Sequence, residues 1–341
     1  MEVDSRYMAR ALELARLGRG LTHPNPMVGA VIVADGRIIG EGYHHRYGGP
    51  HAEVCAVSSV TDRPLLSRST IYVTLEPCSH YGKTPPCAKL LIDCRIPRVV
   101  VGCTDPNERV AGRGIAMLRE AGAEVVTGVL ESECQALNRP FITAHTKGRP
   151  YVMLKWAQSA DGFMAADGKP VKFSTPLSAV AVHQLRADFD AIAVGSGTVS
   201  ADNPRLDTRL YAGRSPRAAV IDRRGTSPAG ASVYQRPDTI LITTARRDDI
   251  PAHVTQLTCT PEAGPEEVLR LLSDSGVQSL MVEGGAELLT SFMASGLWDD
   301  ARIEIAPVSL GARGSAPIAL PRGTVSTCKI GRNTIINVKN G

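Results

Sequence analysis

His51–Ala56 reads HAEVCA and Thr74–Cys87 reads TLEPCSHYGKTPPC. The first stretch sets an imidazole and a carboxylate two residues apart at a helix start, and the second flanks a loop with two thiols just after a strand-forming run. Taken singly these residues say little, because His-x-Glu is commonly a helix-surface pair and a lone Cys is usually a core thiol. Taken together, one imidazole and two thiols supply three ligands and leave a fourth tetrahedral position for water, the arrangement of a catalytic zinc and not of a closed structural one. Two thiolates also favour zinc over magnesium or calcium. The expected ligands are His51, Cys78 and Cys87. Glu53 is close enough to reach the metal's water without joining the ligand set, so it can take a proton there and hand it to departing ammonia.

Working outward, the chain alternates strands and helices. VGAVIVA (Val28–Ala34), the turn Asp35-Gly36 and RIIGEG (Arg37–Gly42) precede the helix opening near His51. TIYVTLE, a helix from about Pro86 to Cys94, RVVVG, a helix from about Gly114 to Ala121 and AEVVTG complete one sheet with covering helices. Periodicity fades in AHTKGRP (Ala144–Pro150), where the boundary between residues 1–146 and 147–341 is placed. Beyond it, strands are expected near Tyr151–Ala157, Ala191–Gly195, Arg217–Asp222, Thr239–Thr244, Ser279–Glu283 and Arg302–Pro307. Helices are expected near Thr175–Ala187, Pro265–Ser275 and Ala286–Ser295.

The bulk numbers fit this reading. A chain of 341 residues with 32 glycines suits an α/β protein of two domains. The net charge of +4 comes from scattered Lys and Arg with no basic tract, which argues against bulk nucleic acid as a partner. The start, MEVDSRYMARALELARLG, reads as an amphipathic helix and not as a leader, and nothing runs to a membrane span, so a cytoplasmic protein is expected. Eight Cys over this length are too sparse for a secreted disulfide scaffold.

His-x-Glu followed by Pro-Cys-x-x-Cys marks the zinc nucleobase deaminases. Here eight residues, not two, separate Cys78 from Cys87. With HPNPMVGAVIV (His23–Val33), GEGYHHRYGGPHAE (Gly40–Glu53), DPN (Asp105–Asn107) and AGRG (Ala111–Gly114), residues 5 to 145 resemble the N-terminal domain of the bifunctional pyrimidine deaminase/reductases of riboflavin biosynthesis. KWAQSADG (Lys155–Gly162), the run from Leu185 to Arg209 and VEGGAELLTSF (Val282–Phe292) resemble that family's C-terminal domain.

The resemblance implies an α/β fold of two domains: an N-terminal cytidine-deaminase-like three-layer sandwich and a C-terminal domain similar to dihydrofolate reductase. It implies one zinc per chain, NADPH, a small-molecule pyrimidine nucleotide as substrate, no nucleic acid, no membrane, and a homo-oligomer. The deaminase would act on a phosphoribosylaminated diaminopyrimidinone and the reductase would convert its ribosyl ring to a ribityl chain. Asn25, His44, His80, Lys83 and Asn107 would line the first pocket, although an Asn in Pro-Asn-Pro can also serve only its turn. In the reductase, Arg186, Leu206, Arg209 and Glu283 match substrate positions. Gln158, Lys172, Thr198, Asp202, Arg223, Gly284, Gly285 and Ala286 match cofactor positions.

No strand is followed by G-x-G-x-x-G, so a dinucleotide site cannot rest on a Rossmann fingerprint. Gly284-Gly285, between a strand and a helix, can meet a pyrophosphate with backbone N–H groups or can be an ordinary turn. PVKFST (Pro170–Thr175) departs from the family's Ser-x-Trp-Ile-Thr, with Lys172 in place of the aromatic, which leaves an altered reductase as an alternative. A nucleic-acid-editing deaminase is a rival that shares the zinc logic but needs a basic groove. A non-catalytic zinc-stabilised module would have no need of Glu53.

Overall fold

The computed structural model describes residues 2–81, 85–107 and 111–340, in two units divided after Gly148. The first unit contains α1 (Glu2–Arg16), β1 (Gly29–Ala34), β2 (Arg37–Tyr43), α2 (Ala52–Ser59), β3 (Thr70–Leu75) and α3 (Cys87–Asp93). It continues with β4 (Arg98–Cys103), α4 (Arg113–Glu120), β5 (Glu124–Thr127), α5 (Glu131–Leu137) and α6 (Arg139–Lys147). The sheet order is β2-β1-β3-β4-β5, with β1 antiparallel to both neighbours and β3, β4 and β5 parallel.

Helices cover both faces of this sheet. Ala52, Val57, Leu91 and Leu118 pack α2, α3 and α4 on one side, and Met8, Leu12 and Cys134 pack α1 and α5 on the other. This is the three-layer sandwich, and burial on both faces is why β1 is an unbroken apolar run without alternation. Gly29 allows α1 to lie directly on β1, since a Cβ there would sit 2.0 Å from the Ala11 carbonyl oxygen. Asp35 and Gly36 both have positive φ, 51° and 72°, as a tight hairpin turn requires. The stretch in which periodicity fades is helical as far as Lys147, so α6 runs through residues 144–147.

The second unit contains β6 (Tyr151–Ser159), β7 (Phe163–Ala166), β8 (Lys169–Pro170), α7 (Pro176–Arg186), β9 (Ala191–Gly195), α8 (Ser196–Asp202), β10 (Arg217–Ile221), β11 (Ile240–Thr243) and β12 (Thr255–Thr258). It ends with α9 (Pro265–Asp274), β13 (Ser279–Val282), α10 (Ala286–Ser295), β14 (Asp300–Ala306), β15 (Gly314–Pro317), β16 (Thr324–Ile330) and β17 (Asn333–Lys339). The large sheet has the order β12-β11-β10-β9-β13-β6-β14-β17-β16. Neighbours from β12 to β14 are parallel, and β17 and β16 close the far side antiparallel. Cores lie on both faces, one around Leu154, Leu280 and Phe292 and one around Ile192, Val220 and Met281.

The parallel strands deliver their carboxyl ends to one rim, which is where an open α/β sheet presents its ligand crevice. Among the described residues, no helix is long and apolar enough to cross a membrane.

Candidate functional site

In the first unit the elements bring the three expected ligands together. His51 immediately precedes α2, Cys78 follows β3, and Cys87 opens α3. The His51 Nδ1 atom lies 3.6 Å from the Cys78 sulfur and 3.3 Å from the Cys87 sulfur. All three ligand atoms fall within 4.8 Å of one another. Tetrahedral zinc with ordinary Zn–N and Zn–S bonds separates nitrogen from sulfur by about 3.5 Å, so the donor set fits zinc in kind and in spacing. The backbone closes the loop, with Ala88 N–H donating to the Cys78 carbonyl and Cys87 N–H to the Cys78 sulfur.

The electrostatics favour a cation here. Hydrogen bonding from the Cys87 thiol, assisted by His51, draws Cys78 well below an ordinary thiol. The same contact and burial push Cys87 up. His51 is raised chiefly by its bond to Cys78. Glu53, in the first turn of α2 and only 3% exposed, is pushed up to about 7 by burial. It lies within hydrogen-bonding reach of Cys87.

Asn25 and His44 sit together beside this cluster. The His44 ring is edge-on to His51 at 5.6 Å, its Nδ1 meets the Pro50 carbonyl at 2.9 Å, and its Nε2 meets the Asn25 amide nitrogen at 3.1 Å. Since a carbonyl can only accept, Nδ1 carries the proton and Nε2 accepts from Asn25. Burial holds His44 below the usual imidazole range, keeping it neutral. His80 is exposed, and Asn107 is half-buried with its N–H on the Asp105 carboxylate. Lys83 lies outside the described residues.

Glu76 gave no signal in the sequence. It is buried and accepts four backbone N–H groups from the segment between Asp105 and Ile115.

In the second unit, Arg186 on α7 and Glu283 just after β13 form a two-bonded pair, and Arg186 also donates to the Asp207 carbonyl. Burial would raise Glu283, but Lys155 and Arg186 outweigh it and hold the carboxyl at about 2. Arg209 pairs with Asp207 at 2.5 Å and is half-exposed, at 51%. Leu206 is buried in left-handed backbone, φ 52°, a conformation costly for a branched residue. Arg236 holds that loop by donating to the Arg205, Leu206 and Pro216 carbonyls.

Lys155, His183 and Arg236 were not anticipated. Lys155 carried a usable signal, a lysine inside the central apolar strand YVMLKWA. His183 is buried among the charges of Arg186, Arg209, Asp207 and Glu283.

Of the expected cofactor positions, Gly285 and Thr198 come together, since a Cβ on Gly285 would meet the Thr198 hydroxyl at 3.5 Å. Gly285 is the N-cap of α10 with no side chain capping it, and Ala286 is the first helical residue. This leaves backbone N–H groups for an anion at the carboxyl ends of the adjacent parallel strands β9 and β13. Lys172, Asp202 and Arg223 are exposed. The Gln158 side chain turns inward and accepts from the Trp156 indole at 2.6 Å.

The departing segment PVKFST is firmly held. Ser174 donates to Glu304, and Thr175 caps α7 by accepting from Ser178 N–H.

Two family descriptions match the chain: the cytidine and deoxycytidylate deaminase zinc-binding region over residues 1–103 and the RibD C-terminal domain over 150–335. The riboflavin biosynthesis protein RibD of Aquifex aeolicus is 39% identical over 317 residues, covering 91% of this chain and 88% of its own. That of Escherichia coli is 40% identical over 337 residues, covering 93% and 91%. Among solved structures, form 1 of Acinetobacter baumannii RibD superposes with a TM-score of 0.92 at 34% identity, covering 100% of this chain and 99% of its own. A diaminohydroxyphosphoribosylaminopyrimidine deaminase/5-amino-6-(5-phosphoribosylamino)uracil reductase from Thermotoga maritima gives 0.91 at 36%, with the same coverage.

Proposed function

The chain belongs to the RibD family of riboflavin biosynthesis proteins and is a bifunctional deaminase and reductase, and we propose substrates, cofactor and residue roles for its two sites. The first unit hydrolytically deaminates a diaminopyrimidinone carrying a ribosylamino 5′-phosphate. The second reduces the ribosyl group of the product to ribityl with NADPH. The observation that carries this reading is the convergence of His51, Cys78 and Cys87 with a buried Glu53 beside them.

His51, Cys78 and Cys87 would hold the zinc, which would supply Lewis acidity there. Glu53 takes a proton from the attacking water and delivers it to the leaving ammonia, a role suited to a carboxyl whose affinity for protons is raised toward neutral pH. His44, fixed as the Nδ1–H tautomer, and Asn25 orient the pyrimidine, with His80, Lys83 and Asn107 completing the pocket.

In the reductase, Thr198, Gly284, Gly285 and Ala286 would hold the pyrophosphate of NADPH, with Gln158, Lys172, Asp202 and Arg223 contacting the rest, and the cofactor would supply the hydride. Arg186, Leu206, Arg209 and Glu283 form the substrate side. On this reading the enzyme works in the cytoplasm as a homo-oligomer and acts on a free nucleotide, not on nucleic acid.

Incubating the chain with the pyrimidine nucleotide, with and without NADPH, and weighing the products tests both halves. Ammonia loss is expected without NADPH, and a gain of two hydrogens only with it. Deamination of an RNA hairpin in preference to the nucleotide would overturn the substrate class. Reduction with NADH in preference to NADPH would overturn the cofactor.

A further inference from the structure

Glu76 stands two residues before the ligand Cys78 and is 3% exposed. One carboxylate oxygen accepts from Asp105 N–H at 3.3 Å and Gly112 N–H at 3.0 Å. The other accepts from Gly114 N–H at 3.0 Å and Ile115 N–H at 3.3 Å. A single side chain on the turn that leads from β3 to the metal ligand therefore grips the end of β4 and the first turn of α4.

The grip is close on every side. The Glu76 backbone N–H itself bonds the Cys103 carbonyl at 3.0 Å. A Cβ on Gly114 would lie 2.0 Å from the Pro77 carbonyl oxygen, so only glycine lets α4 seat against the Pro77-Cys78 turn. Asp105, held by Glu76, in turn accepts Asn107 N–H at 2.8 Å. A short chain of hydrogen bonds thus joins the turn bearing Cys78 to Asn107: Glu76, then Asp105, then Asn107.

We infer that Glu76 is a positioning residue for the deaminase pocket, setting Asn107 at a fixed distance from the metal ligands without itself touching substrate or metal. The inference rests on the deaminase reading and on Asn107 binding the pyrimidine nucleotide. A carboxylate suits the task because four amides converge on it and it has only acceptors to offer; an amide in its place would turn one acceptor into a donor facing N–H groups.

The test is a double-variant cycle on the full chain, made of Glu76→Gln, Asn107→Ala and both, with zinc content, KM and kcat for deamination of the pyrimidine nucleotide read for each. Glu76→Gln is expected to keep about one zinc per chain. Its KM should rise about tenfold with kcat within about threefold, and the double variant's KM should stay within about twofold of the Asn107→Ala value. A purely structural role predicts instead that zinc and kcat fall together and that the two KM effects multiply. Either result, or a Glu76→Gln KM equal to wild type, overturns the inference. Should Glu76→Gln fail to fold, the same cycle is run on Glu76→Asp, which keeps the charge and retracts it by one methylene. A wild-type chain that does not deaminate the nucleotide overturns the underlying reading instead, and an Asn107→Ala KM equal to wild type overturns both the role of Asn107 and the inference built on it.

Discussion

Arg186 and Glu283 meet through two bonds, Nε to Oε1 at 3.0 Å and Nη2 to Oε2 at 2.6 Å, with side chains only 12% and 8% exposed. Removing the cation strands a buried carboxylate, so Arg186→Met should destabilise the second unit by roughly 3 kcal/mol in denaturant melts. The pH dependence has a definite sign. Glu283 is held at about 2 against an ordinary 4.5, so its contribution is full above pH 4.5 and is lost as pH falls toward 2. Glu283→Gln should flatten the stability profile across that window. An unchanged profile would mean that other carboxylates govern acid unfolding.

The cysteines are tested by metal content. Purified chain should carry about one zinc, and Cys78→Ser or Cys87→Ser should lose most of it together with deamination. Elemental analysis showing full zinc in both variants would remove these thiols from the ligand set.

Glu53→Gln keeps the side chain's shape and abolishes its proton affinity. Zinc should stay near the wild-type level, deamination should drop by at least about a hundredfold, and reduction should persist. Normal ammonia release from this variant would assign the proton transfer to another group.

Arg209 ends the NPRLDTR loop where a guanidinium could pair with the substrate's phosphate. Its half exposure and its bond to Asp207 limit what it can contribute. Arg209→Ala should weaken the phosphorylated substrate by about 1 kcal/mol, roughly fivefold, and Arg209→Lys should recover part of that. Calorimetric titration with phosphorylated and dephosphorylated nucleotides decides the matter, since equal losses for both would move the phosphate site elsewhere.

The cluster of His51, Cys78 and Cys87 was legible because its information is chemical: an imidazole and two thiols in a fixed order suggest a metal's ligands, and the carboxylate beside them a proton carrier, whatever the backbone does. The strands around it were legible because burial on both faces forces continuous apolar runs such as VGAVIVA. Glu76 was not legible, because its partners are backbone N–H groups some thirty to forty residues away, and amide direction leaves no trace in residue identity. Lys155 announced itself only as a misplaced charge, and the carboxylate it acts on, Glu283, lies on another strand's end. The final strands were missed for a different reason. All but the last residue of β16 are exposed, so no periodic burial marks it.

That same strand matters for anyone handling the protein. Thr324–Ile330 ends the large sheet, rich in β-branched residues, with Lys329 its single charge. Its outward amides are a template on which another extended chain can dock. Colloidal behaviour at high concentration should therefore depend on this edge. Placing a second cation on the strand, as in Val325→Lys, should raise the concentration at which light scattering first climbs while leaving both activities intact, and an unmoved threshold would show that association begins on some other surface.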